Sequence, residues 1–235
     1  MTITTTQDSR GYFLGSDGAY YAKVTASPYE TGYAFSNDAA VTSGTVYYFK
    51  VEPIRWRILS ESNETALILC DSIIANGAYD AGSNNNYAES DIRAWLNDQF
   101  YNTAFTDLQR DIILTTTVDN SAESTGHSSN IYVCEDTEDK VFLLSYVEAT
   151  NALYGFSTSR NESASREMIT SDYTRATGAR MSTSTDTCGN GYWLLRSPNY
   201  SGTYTEWSVS CDGYMYNFYV DNSCNGVVPA LQIQL

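Results

Sequence analysis

Histidine occurs once in the chain, at position 127, inside the polar segment STGHSSN. Any Ser-His-Asp or Cys-His site would have to use that one imidazole. No nucleophile elbow or comparable local signature accompanies a serine or cysteine. HExxH, Walker, GxGxxG and EF-hand spacings are also missing. The acidic runs EDTED and DNSCN lack the alternating ligands and closing glutamate of a calcium loop. Basic residues are scarce: 13 Lys and Arg stand against 28 Asp and Glu, a net charge of −15. That balance argues against nucleic acid, whose phosphates need basic neutralisation, and against anionic membrane surfaces. No apolar run approaches the ~20 residues of a membrane helix, so no membrane insertion is expected. The start, MTITTTQDSRGYFLG, has no basic segment followed by an apolar one, so no signal peptide is expected. The protein is then either cytoplasmic or carried out by another route, for example inside an assembled particle. Five cysteines, Cys70, Cys134, Cys188, Cys211 and Cys224, show no CxxC spacing. A structural zinc site is not expected, and the scatter does not read as a disulfide framework. These absences together predict no cofactor, no metal and no enzymatic activity.

What is present is a β-rich start, a helical middle and a β-rich end. GYFLGSDGAYYAKV reads as two aromatic runs around Ser16-Asp17-Gly18, a hairpin signal. GTVYYFKVEPIRWRILSES and NETALILCDSII read as further strands. In IRWRIL, Ile54, Trp56 and Ile58 alternate with Arg55 and Arg57, which predicts an apolar inner face and two arginines turned outward to acidic neighbours. In ESDIRAWLNDQFYNTAF, Ile92, Trp95, Leu96 and Phe100 fall on one helical face, with Ser90 as N-cap. Thr106 with Gln109, and Ser145 with Glu148, have capping-box spacing, so TDLQRDII and SYVEATNALYGF each read as a helix. SDYTRATGAR reads as a short helix closed by Gly178. TTTVDNSAESTGHSSN has low hydropathy and no period and reads as a surface loop. After Gly191 come YWLLRS, EWSVSCDG, YMYNFYV and VVPALQIQL, all β-like. The expectation is one α+β domain over residues 1–235. Residues 45–60 and 226–235 are expected in one sheet, which would bring the two chain ends together.

The C-terminal region poses a question of its own. From Asn199 to Asn225 nearly half the residues are Asn, Tyr or Ser, yet firm apolar pieces frame the stretch. Tyrosine gives a large, stiff, amphipathic contact area, and Asn, Ser and Gly adapt their hydrogen bonding, as in antibody paratopes. A fixed frame would limit the ordering penalty on binding. The frame is read as Trp193, Leu194, Leu195, Trp207, Val209, Val227 and Leu231. The contact set is read as Asn199, Tyr200, Ser201, Thr203, Tyr204, Tyr214, Tyr216, Asn217, Tyr219, Asp221, Asn222 and Asn225. Arg196 is expected to position the start of the stretch by bonding backbone carbonyls. The plainer alternative is a set of ordinary polar surface loops.

The pieces YFLGSDGAYYAKV, PIRWRIL, SDIRAWLNDQFYNTAF, DKVFLLSYVEA, YWLLRSP and GVVPALQI, in this order, resemble a domain family of unknown function common in gut bacteria and their phages. The resemblance runs from about Tyr12 to Ile233. It implies a C-type-lectin-like fold, a mixed or antiparallel sheet formed by both chain ends with helices in the middle, shared with the sulfatase-modifying (formylglycine-generating) proteins. Several members resemble variable proteins of diversity-generating retroelements, in which errors at template adenines overwrite the 3′ end of the gene. Residues 191–235 would then be the variable region. An Asn codon mutated at its two adenines cannot become Trp, Met, Glu, Gln or Lys. Within Asn199–Asn225 only Glu206, Trp207 and Met215 lie outside the reachable set. Val228 departs from the arginine more common at that place in the family. The calcium signatures of sugar-binding C-type lectins, Glu-Pro-Asn and Gln-Pro-Asp, are missing. The resemblance implies a receptor-binding or adhesin-type protein on a cell or virion surface, with a protein or carbohydrate ligand. An enzyme of the sulfatase-modifying type, with Cys188 and Cys211 or Cys211 and Cys224 as its cysteine pair, and a passive structural domain of a surface or virion assembly are the alternatives.

Overall fold

A computed structural model describes residues 2–235; Met1, where the expected domain begins, lies outside them. The architecture is mixed α+β, mostly sheet with a few short helices. Strands β1 (Ile3–Gln7), β2 (Phe13–Gly15), β3 (Tyr20–Thr25) and β4 (Val46–Lys50) form an antiparallel sheet in chain order. The Asp-Gly signal turns the chain as expected: Phe13 faces Tyr21, and Gly18 takes φ +81°. Val24, Tyr47 and Phe49 of this sheet pack on a small apolar cluster of Ala26, Tyr33, Phe35, Val41, Ala176 and Met181.

β5 (Trp56–Glu61) and β6 (Thr65–Cys70) follow as a hairpin, then the short β7 (Ala75–Asn76). The helical middle starts with α1 (Asp91–Trp95), runs through a π-helical turn at Leu96–Phe100 and ends in α2 (Tyr101–Ala104). Ser90 caps it, its hydroxyl accepting from the Arg93 N–H. Ile92, Leu96 and Phe100 are buried, so the apolar face read from spacing is the packed face. Thr106 and Gln109 complete a reciprocal capping box at α3 (Asp107–Ile112). β8 (Thr116–Val118) pairs with β9 (Thr137–Asp139). α4 (Asp172–Thr177) is capped by Ser171 and closed by Gly178 at φ +109°.

The C-terminal strands are β10 (Trp193–Pro198), β11 (Thr205–Val209), β12 (Met215–Tyr219), β13 (Gly226–Val227) and β14 (Ala230–Gln234). Five strands form a mixed sheet in the order β12-β11-β10-β13-β7, with β10 and β13 parallel. The chain then leaves this sheet and adds β14 to β6 and β5. At the crossing, backbone bonds from Ile74 to Val227 and from Cys70 to Pro229 continue the β7–β13 and β6–β14 ladders toward each other. The main core lies between them and the helices: Leu69, Ile73, Leu96, Leu143, Leu144, Trp193, Leu194 and Leu195 are all fully buried.

Four expectations need correction. β5 and β14 do share a sheet, through β6, but β4 belongs to the N-terminal sheet, so residues 45–60 are split and the two chain ends lie in different sheets. Exposed Val51, Glu52 and Pro53 separate β4 from β5, and β4 is taken up by its local partner β3. The IRWRIL alternation breaks at a register shift between Ile58 and Ser60. Ile58 is 61 % exposed, Leu59 is buried instead, and the half-buried Arg57 lies 4.9 Å over the Phe156 ring in place of an acidic partner. The segment read as a surface loop contains β8 and buried Asn120, Ser124, Thr125 and Asn130. These polar side chains are buried because they bond backbone, which hydropathy does not register: Asn120 donates to the Glu135 carbonyl and Asn130 to that of Pro198. Ser145 and Glu148 exchange both capping bonds, but only the 3₁₀ turns Glu148–Thr150 and Ala152–Tyr154 follow, because Asn151 is extended between them.

Candidate functional site

The C-terminal frame is packed into the core. Trp193, Leu194, Leu195, Trp207, Val209, Val227 and Leu231 are all buried. Trp193 also donates its indole N–H to the Arg166 carbonyl at 3.0 Å. Buried Arg196 does bond carbonyls, those of Leu143 (2.7 Å) and Asp119 (3.1 Å), and adds an ion pair to Glu148 at 2.5 Å. The segment following β10 is thereby anchored before it reaches the surface.

The expected contact set divides by exposure. Tyr200 (49 %), Tyr204 (49 %), Tyr216 (50 %) and Tyr219 (63 %) are exposed. So are Ser201, Thr203 and Asp221, whereas Tyr214, Asn217 and Asn222 are half-buried. Asn199 and Asn225 are buried and do not belong to an open contact surface. Asn199 shapes the turn: its side-chain Oδ1 accepts from the Ser201 N–H and hydroxyl, and its backbone N–H donates to the Thr205 carbonyl. Asn225 gives its backbone carbonyl to the Gly77 N–H. Asp221 accepts from the Ser83 hydroxyl, and Asn222 accepts from the Cys224 N–H.

Residues from earlier in the chain complete the region. Buried Asn85 pins the 199–205 turn, donating its amide to the carbonyls of Gly202 and Thr205, both at 2.8 Å. His127 stacks on Tyr200 with ring centres 4.5 Å apart and planes 18° apart. Tyr146 meets Trp207 at 4.8 Å. Arg160 donates to the Tyr214 hydroxyl at 2.7 Å and lies over the Tyr214 and Trp207 rings. On β12, Tyr219 stacks with Tyr204, and Tyr216 meets Phe218, which meets Tyr192. Arg180 lies 4.3 Å over Tyr192. No spacing rule links these residues to the C-terminal stretch. Nothing in the local sequence marks Asn85, His127, Tyr146, Arg160 or Arg180 as neighbours of it. The β11–β12 turn is held by Gly213 at φ +77°, where a Cβ would collide with the Ser163 carbonyl.

Glu206 lies fully buried within this sheet, opposite Phe218. One carboxyl oxygen accepts from the Ser208 hydroxyl and the other has no partner. Burial pushes its pKa from 4.5 up to about 8. All five cysteines are free. Burial raises the Cys70 thiol to about 11 and also raises Cys134 and Cys224, so these three are protonated at neutral pH and poor nucleophiles. Among the described residues no group of three or more His, Cys, Asp or Glu is placed to hold a metal ion. No helix among them is long and apolar enough to cross a membrane. A hollow of about 550 Å³ lies on the N-terminal sheet, lined by Thr4, Gln7, Asp8, Tyr12, Leu14 and Tyr20, none of them in the expected set.

The family model described as Domain of unknown function (DUF6273) matches residues 63–235, well over half of the chain. It begins after β5, so the N-terminal sheet precedes the matched part. No curated protein and no solved structure matches. The chain belongs to the DUF6273 family, a domain of unknown function.

Proposed function

We propose that this is a ligand-binding protein with a C-type-lectin-like fold, whose C-terminal region, within residues 191–235, is the diversified target of a retroelement. It would act as a receptor-binding or adhesin-type module on a virion or cell surface, with a protein or carbohydrate ligand. The observation that carries the reading is the split within one short stretch. Four tyrosines, Tyr200, Tyr204, Tyr216 and Tyr219, are exposed, while the side chains beneath them are buried. Large, stiff aromatic groups on a fixed base bind with little ordering cost. A second feature agrees. Glu206, Trp207 and Met215, the three residues that adenine mutation of an Asn codon cannot produce, are all buried. Such residues suit a frame that must survive while its surface changes. Burial raises the Cys224 thiol, which weighs against a reactive pair of Cys211 and Cys224.

The test is sequencing of the 3′ end of this gene across sibling isolates, together with the neighbouring DNA. Substitutions should concentrate at Tyr200, Tyr204, Tyr216 and Tyr219. They should spare Trp193, Glu206, Trp207 and Met215, and a near-copy differing at adenines should lie beside a reverse transcriptase. Substitutions spread evenly over frame and face, with no such copy, would remove the retroelement reading.

A further inference from the structure

We infer that the outer edge of β12 takes an extended peptide segment of the ligand, which adds to the sheet as a further strand. This rests on the ligand-binding reading above and names the ligand as a protein.

The bonds at the two ends of β12 fix which way its backbone groups point. The Ser210 N–H donates to the Tyr214 carbonyl, and the Val220 N–H donates to the Tyr204 carbonyl. Bonded and non-bonded pairs alternate along an antiparallel ladder. Tyr216 and Phe218 therefore bond to their β11 partners Ser208 and Glu206, and Met215, Asn217 and Tyr219 turn their N–H and C=O groups outward. The Met215 N–H donates to the Arg160 carbonyl at 2.9 Å, and the Tyr219 carbonyl accepts from the Asn222 N–H at 3.1 Å. The Met215 carbonyl, both Asn217 groups and the Tyr219 N–H have no partner among the described residues. No strand lies beyond β12 in its sheet, Asn217 is only half-buried and Tyr219 is exposed.

Proteins blunt open edges with charge, proline, bulges, short strands or cover. β14 is covered through Ile113 and Phe142, and β7 packs on α4. β5 carries Arg57, Glu61 and a register shift, and β8 and β9 are three residues each. The N-terminal sheet ends in β4, with Lys50, and in β1, whose register shifts; both precede the family-matched part. β12, MYNFY, has none of these devices, and it carries Tyr216 and Tyr219 of the exposed set. A row of outward N–H and C=O groups is complementary to another main chain. The Arg160 carbonyl already makes one such bond, so an incoming segment would continue a pairing that the chain itself begins. That pairing uses no side chain of β12, so it would persist while those side chains vary. Alternate side chains of the added strand would meet Tyr216 and Phe218 on one face of the sheet and Asn217 and Tyr219 on the other, which is where variation would tune selectivity. The net charge of −15 selects a neutral or basic segment over an acidic one.

The experiment is amide hydrogen exchange of the full chain, read by nuclear magnetic resonance, with and without the end-blocked peptide Lys-Thr-Val-Thr-Val-Thr-Lys. At about 5 mM peptide, exchange at Asn217 and Tyr219 should slow about threefold, as for a dissociation constant of ~2 mM. The same peptide methylated on every backbone nitrogen keeps its charge but cannot pair as a strand, and it should have no effect. Asn217→Pro removes an outward N–H and no bond to β11, which an open edge tolerates; it should abolish the peptide's effect at Tyr219. If that variant does not fold, the methylated peptide decides. On target cells, protease treatment should abolish binding of the parent protein, and periodate oxidation of sugars should leave it. Unchanged exchange at Asn217 and Tyr219, an equal effect of the methylated peptide, or an effect that persists in folded Asn217→Pro would overturn the proposal. Slowing that sets in with protein concentration alone would also overturn it, because the occupant would then be a second copy of the chain. Cell binding lost to periodate and kept after protease would overturn it in favour of a carbohydrate. If the peptide has no effect while replacing the exposed tyrosines still abolishes binding to target cells, strand addition is lost and the ligand-binding face remains.

Discussion

Glu206→Gln should make the protein more stable, by an amount that depends on pH in a defined direction. The Glu206 carboxyl is fully buried on β11, with Ser208 as its one hydrogen-bond donor and no ion-pair partner among the described residues. Burial is the main cause of its raised pKa, about 8 against 4.5, and Asp221 adds a smaller push in the same direction. Between those two values the folded state holds a proton that the unfolded state has released, so stability falls as pH rises. The contribution is fully present below 4.5 and is lost by about 8. Each pH unit is worth about 1.4 kcal/mol, so the loss at pH 7 is about 3 kcal/mol, a large share of a domain's 5–15 kcal/mol. Glutamine is neutral at every pH and keeps a polar group where the unpartnered oxygen stands. Urea unfolding followed by tryptophan fluorescence at pH 4, 5.5, 7 and 8.5 measures the difference between the two proteins. The other carboxylates are common to both and cancel. The variant should match the parent near pH 4 and exceed it by about 3 kcal/mol at pH 7. A difference that does not change with pH would refute the reasoning, because Glu206 would then not titrate in this window.

Three further outcomes follow from the frame. Trp193→Ala should cost about 3–5 kcal/mol, since it empties a fully buried site and frees the Arg166 carbonyl; chemical denaturation reads this, and a loss under 1 kcal/mol would place Trp193 outside the core. Gly213→Ala should cost at least about 2 kcal/mol, because a positive φ and the Ser163 carbonyl both oppose a Cβ; an unchanged melting temperature would contradict the turn geometry. In native protein a thiol-specific disulfide reagent should modify exposed Cys188 first and leave Cys70 and Cys224 untouched until urea unfolds the chain. Rapid modification of Cys70 in the native state would contradict its burial.

Much of the fold could be read where local chemistry decides structure. Ser90, the Thr106–Gln109 box, Asp17-Gly18 and Gly178 mark their elements because a cap or a turn needs few residues. What could not be read depends on pairings between distant segments. Nothing near Val46–Lys50 says that β3, and not β14 or β6, will be its partner. The shift at Ile58 depends on the partner strand, and so defeats a period-2 reading of IRWRIL. Asn120 and Asn130 are buried by bonds to segments far along the chain, which composition cannot show. The C-terminal stretch divides in the same way. The apolar frame was legible because burial follows side-chain type, and the exposed tyrosines followed from it. Asn199 and Asn225 did not, because a buried asparagine that supports a turn has the same identity as one that meets a ligand. His127, Tyr146 and Arg160 converge on Tyr200, Trp207 and Tyr214 only in three dimensions.

The central claim is that one surface binds while the frame beneath it keeps the fold. It is tested most directly by replacing Tyr200, Tyr204, Tyr216 and Tyr219 together with serine and measuring thermal unfolding beside binding to cells or particles that the parent recognises. The account predicts a nearly unchanged melting temperature, since exposed substitutions stay within about 0.5 kcal/mol each, and loss of binding, since a few aromatic anchors carry most of an interface's affinity. A variant that stays folded and binds as the parent does would contradict the account, and so would one that unfolds.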